Sequence, residues 1–134
     1  MLNDYLKSLP YRLHTNRELG MMLRGEKPLS VFSDAYGHFP EAVLRYLRMF
    51  DVHVGRGAFV KREYVYLDRG NRPGSHVFCY ALPDQEWRID AIIELRENFE
   101  RWNSEMERAE GSLLGYSDWQ NDWWIERYNE RLSR

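Results

Sequence analysis

At Leu82-Pro83 the spacing of apolar residues changes from two to three and four, and that switch divides the chain into a strand-bearing part and a helical part. Upstream, residues 58–67 and 75–81 alternate in side-chain type and face each other across Asp68-Arg69-Gly70-Asn71-Arg72-Pro73-Gly74. Antiparallel pairing about that turn sets Leu67 opposite Ser75, Val65 opposite Val77 and Glu63 opposite Cys79. One face of this predicted hairpin is then small and aliphatic. The other carries Arg62, Tyr64, Tyr66, His76, Phe78 and Tyr80, and Glu63 points away from His76. A small protein needs one sheet face for its core, which leaves the aromatic face to a covering helix or a bound molecule.

Downstream, Ile92, Leu95, Phe99, Trp102, Met106, Ala109 and Leu113 step alternately by three and four, a narrow stripe that predicts one helix over residues 84–110. Gly111 or Gly115 ends it. Ser117-Asp118-Trp119-Gln120 has the spacing of a capping box and opens a terminal helix running to about Leu132. The two helices are expected to form an antiparallel hairpin joined by residues 112–116. Trp124, Tyr128 and Leu132 share one face of the last helix, with Trp119 and Trp123 on a neighbouring face.

Toward the amino terminus, Thr15-Asn16-Arg17-Glu18 also has capping-box spacing and predicts a helix over residues 16–24, stopped by Gly25. Residues 29–32 read as a short strand and residues 33–38 as a loop. Pro40 begins a helix over residues 40–50 with Val43, Leu44, Leu47 and Phe50 as its stripe. Val52-His53-Val54 reads as an edge strand before the Gly55-Arg56-Gly57 turn. The expected fold is therefore α+β: a small, mainly antiparallel sheet of three to four strands, with two short N-terminal helices on one face and the C-terminal helical hairpin on the other or beside it. At 134 residues the chain is expected to be a single domain, residues 1–82 forming its helix and sheet core and residues 83–134 the helical hairpin.

Charge narrows the partners. The net charge of −2 argues against binding duplex nucleic acid by phosphate neutralisation. Residues 1–72 hold 12 Lys/Arg against 8 Asp/Glu, whereas residues 73–134 hold 7 against 13, so the helical half is acidic. The single cysteine, Cys79, excludes an intrachain disulfide and suits a reducing, cytoplasmic setting. No apolar run reaches the roughly 18 residues of a membrane span, and the first residues lack the pattern of a signal peptide.

Signatures of the common nucleophile elbows, zinc sites and nucleotide loops are missing from the sequence, and no cofactor or metal is expected. Asp34, His38 and His53 lack metal-ligand spacing; Asp34, His38, His53, Glu63, His76 and Asp90 are the acid–base groups available to any catalysis. The glycine-bearing turns at Gly55-Arg56-Gly57 and residues 69–74 pair basic side chains with permissive backbone but match no phosphate-loop signature. No family motif can be laid on the chain residue by residue. The favoured expectation is a non-enzymatic interaction or regulatory module that binds another protein or a second copy of itself through Trp119, Trp123, Trp124 and Tyr128. The alternative is a small-ligand or catalytic domain that uses Arg62, Tyr64, Tyr66, His76 and Tyr80 on the aromatic hairpin face.

Overall fold

The computed structural model describes residues 9–35, 37–66, 74–97 and 101–132. In chain order it contains helix α1 (Glu18–Leu23), strand β1 (Leu29–Ala35), helix α2 (Glu41–Gly55), strands β2 (Val60–Tyr66) and β3 (Ser75–Ala81), a 3-10 turn (Pro83–Gln85), and helices α3 (Trp87–Glu97), α4 (Ser104–Leu113) and α5 (Asp118–Leu132). The α+β class expected from the periodicity is the one observed. The sheet is antiparallel throughout with strand order β1-β3-β2, so β3 lies in the centre.

Helices cover both faces of this sheet. On one, Leu29, Val77, Cys79 and Ala81 bury against Ile89 and Ile92 of α3, with Val31, Val60, Tyr64, Tyr66 and Leu114 around them. On the other, Phe32, Phe78 and Tyr80 pack with Met22 of α1, Leu47 and Phe50 of α2, and Phe59. The alternation of β3 produces these two cores, since successive side chains point to opposite faces.

The register of the hairpin corrects the sequence reading. Tyr66 pairs with Ser75, Tyr64 with Val77 and Arg62 with Cys79, one residue away from the expected pairing. A slip of one residue turns every β2 side chain to the other face. Arg62, Tyr64 and Tyr66 therefore share the face of Val77 and Cys79, while Lys61, Glu63 and Val65 share that of His76, Phe78 and Tyr80. Residues 67–73, which include most of the expected turn and of its basic glycine-bearing segment, lie outside the described residues.

Three further boundaries differ. The helix that begins at Glu18 has Arg17 at its N-cap and no side-chain cap; Thr15 does not act, and Asn16 sits at φ 66°. The Tyr46 hydroxyl instead accepts from the Leu19 N–H at 3.0 Å and donates to Glu18 at 3.1 Å, so a neighbouring helix satisfies the exposed first turn. The expected edge strand at Val52–Val54 is the last turn of α2, closed by Gly57 at φ 79° with Ala58 N–H bonded to His53 O. The strand read as residues 29–32 continues to Ala35.

The single helix expected over residues 84–110 is two. Arg101, Trp102 and Asn103 are not helical, and Asn103 is extended, its side chain accepting from the Met106 N–H at 3.0 Å to cap α4. Phe99 of the expected stripe lies outside the described residues. Arg88 on α3 donates to the Ser112 and Leu113 carbonyls at the far end of α4, and Arg96 lies 3.3 Å from Glu110. The α4–α5 hairpin forms as the sequence indicates. Gln120 Oε1 accepts from the Ser117 N–H at 2.9 Å, which is the return arm of a capping box.

Gly115 ends α4 with φ 99°, and Tyr116 N–H closes back on Gly111 O. A Cβ here would meet Pro28 Cδ at 2.7 Å. Gly115→Ala is expected to cost about 2 kcal/mol from left-handed strain and overpacking together. Urea denaturation checks this, and an unchanged midpoint would refute it. Among the described residues no helix is long and apolar enough to cross a membrane.

Candidate functional site

The hairpin residues proposed as one ligand face do not converge. Tyr64 and Tyr66 lie under α3, their hydroxyls 3.0 Å apart, and burial holds the Tyr64 phenol above its ordinary pKa. Arg62, on the same face, reaches Asp90 and, at 3.2 Å, Glu86. Tyr80 is wholly buried on the opposite side; its hydroxyl donates to Asp51 at 2.9 Å, and desolvation raises its pKa. His76 shares that side and lies 3.0 Å from Glu63, a contact that the expected register had excluded. A ligand on either strand face would meet only part of the set. Asp34 pairs across the sheet with His76, whereas His53, in α2, packs on Phe59. Among the described residues no three His, Cys, Asp or Glu side chains gather as a metal site would require.

The tryptophans of α5, by contrast, meet a segment that the sequence reading did not single out. Trp119 is 53% exposed. The Tyr11 ring meets it edge-on at 5.4 Å and reaches Trp123 at 6.1 Å and Tyr116 at 6.0 Å. The Tyr11 hydroxyl donates to Gln120 O at 3.3 Å. Trp124 turns toward α4, where its Nε1 donates to Glu107 Oε1 at 2.8 Å; Trp102 Nε1 donates to the other oxygen of the same carboxylate at 2.6 Å. Tyr128 is half-buried farther along the helix.

Between the Tyr11 segment and the α4–α5 hairpin lies an open cleft of about 240 Å³, lined by Tyr11, Tyr116 and Trp124, by Glu107 and Glu110, and by Asn121. Asn121 is 5% exposed and packs on Gly111, whose missing side chain permits the close approach of the two helices: a Cβ there would fall 2.2 Å from Asn121 Oδ1. Its Nδ2 donates to Ser112 Oγ at 3.0 Å.

A buried lysine holds the N-terminal segment in place. Lys27 is 2% exposed, and its Nζ donates to Leu114 O at 2.6 Å and sits 2.7 Å from His14 Nδ1. The His14 ring stacks on Tyr116 at 3.8 Å, and its backbone N–H donates to the Tyr116 hydroxyl at 2.9 Å. Burial, with Lys27 and Arg17 nearby, lowers the His14 pKa to about 4, so the ring is neutral at neutral pH. Desolvation lowers Lys27 itself to about 7, against a smaller opposing effect of Glu18. Nothing in Glu26-Lys27-Pro28 marks this residue beforehand, because a lysine beside a proline reads as an exposed turn.

In comparisons with known proteins, no protein family, curated protein or solved structure matches the chain.

Proposed function

We propose that the protein is a non-enzymatic interaction module that engages another protein, or a second copy of itself, through the tryptophan-rich surface of α5 completed by Tyr11. The observation that carries this reading is the half-exposed Trp119 indole, held edge-on by Tyr11 at 5.4 Å beside the aromatic cleft. Large aromatics anchored on a rigid surface and ringed by polar groups are the usual energetic centres of protein interfaces. The acidic character of residues 73–134 gives that surface a charge preference as well as an apolar anchor. A cytoplasmic setting belongs to the same reading: Cys79 is wholly buried, and desolvation pushes its thiol up to about 11, so it is kept protonated and shielded from oxidants.

Trp119→Ala tests the proposal. Truncating an exposed side chain is expected to change folding stability by less than about 1 kcal/mol, whereas loss of an interface anchor costs at least about 2 kcal/mol, roughly thirtyfold in affinity. Sedimentation equilibrium across concentration, together with affinity capture compared between native and variant chains, supplies the readout. Identical mass and identical capture by Trp119→Ala would end this reading.

A further inference from the structure

We propose that the cleft beside Trp119 is an arginine pocket: a guanidinium carried by the partner enters it, lies against its rings, and is held by the carboxylates of Glu107 and Glu110. This inference rests on the interaction reading and names the chemistry of the partner. At about 240 Å³ the cleft is smaller than the roughly 300–1,000 Å³ that houses a drug-sized ligand or cofactor, so it suits one side chain.

The polar groups of its lining select the class. Its two charged side chains are both carboxylates. The Trp124 Nε1–H is spent on Glu107, Asn121 Nδ2 on Ser112, and the Tyr11 hydroxyl proton on Gln120 O. Acceptor capacity remains. Each carboxylate offers about four lone-pair positions, of which Glu107 is seen to use two and Glu110 one. A cleft with surplus acceptors and ring walls complements a ligand with many donors and no acceptor.

Arginine has five N–H donors on a planar cation that stacks on aromatic faces; lysine has three on a compact, strongly hydrated ammonium. The terminal helix already shows this chemistry within the chain, with the Arg127 guanidinium 4.8 Å above Trp123 and that of Arg131 5.6 Å above Trp124. Of the chain's own cations, Arg96 lies 3.3 Å from Glu110, Arg131 stands over Trp124 and Lys27 lies 5.8 Å from the Tyr116 ring, whereas the charged side chains of the lining itself are the two carboxylates.

The probes are N-acetyl-arginine methylamide and its neutral near-isostere N-acetyl-citrulline methylamide, titrated into the native chain while the Trp124 indole and Asn121 amide resonances are followed. The arginine probe is expected to shift both resonances saturably, with citrulline at least about tenfold weaker. Glu110→Gln is expected to remove most of that difference. The comparison of probes needs no variant, so misfolding of Glu110→Gln leaves the test intact. Equal binding of the two probes, or shifts confined to residues outside the cleft, overturns the inference. If that happens while Trp119→Ala still abolishes association, the interaction reading survives alone. If arginine fills the cleft but no association depends on Trp119, the pocket survives and the interaction reading fails.

Discussion

Native stability is expected to rise between pH 6 and pH 9, and Lys27→Met to flatten that rise. In the folded protein Lys27 gives up its proton at about 7, against 10.5 for a free lysine. Between those values the unfolded chain binds more protons than the folded one, so native stability climbs with pH; below about 7 both forms are protonated and the whole cost of burying the ammonium stands. Over pH 6–9 this amounts to about 3 kcal/mol. His14, lowered from 6.5 to about 4, acts with the same sign and adds a further rise across that lower window. Methionine matches lysine in length and carries no charge, but it leaves Leu114 O and His14 Nδ1 without the Nζ donor, a largely pH-independent penalty of about 1–3 kcal/mol for each group left unpaired. The decisive quantity is the native-minus-variant difference at the two pH values, measured by urea denaturation. Parallel pH profiles would show that the lysine titrates normally.

Phe50→Ala is expected to cost about 3–5 kcal/mol at any pH. Phe50 has no exposed surface, and its ring lies 5.1 Å from Tyr46, 5.4 Å from Phe32, 5.7 Å from Phe59 and 4.8 Å from Tyr80. These neighbours come from a helix, two strands and the segment before β2, so no single shift closes the void. The Tyr80 hydroxyl is also fixed to Asp51 and its ring covered by Lys61 at 5.6 Å, which limits collapse further. Phe50→Leu keeps much of the volume and is expected to cost well under half as much. Thermal or urea unfolding supplies the measurement, and a loss below about 1 kcal/mol for Phe50→Ala would contradict the packing described. The cleft lined by Tyr11 and Trp124 shares no residue with this cluster, so the folded variant is expected to keep its indole environment.

The legible and illegible parts of this fold follow from particular residues. The β3 segment Ser75–Ala81 alternates cleanly, and its two faces are the two cores. Its partner β2 reads Val-Lys-Arg-Glu-Tyr-Val-Tyr, in which neither face is plainly apolar, so its own pattern favours neither register over the other. Parity then depended on the connecting segment, and the expected count differed by one. The attraction between Glu63 and His76, possible only in the observed pairing, was the available signal. The stripe from Ile92 to Leu113 kept its spacing across a helix break because periodicity is blind to a cap; Asn103 followed by Ser104 and Glu105 carried that information. The tryptophans of α5 were legible as an aromatic surface. Tyr11, His14 and Lys27 were not, since their importance comes from contacts with residues about a hundred positions away.

The central place of β3 bears on the order in which the molecule can be assembled. A ribosome releases β1 first, then β2, and only afterwards the strand that both must bond, so the outermost pair, Leu29 with Ala81, waits for the whole intervening stretch to be synthesised. Until then the nascent chain holds two future sheet margins and no ribbon to seat its early helices on. Translation of this protein is thus a delayed closure, in which the last strand made is the one that turns two stray margins into a sheet.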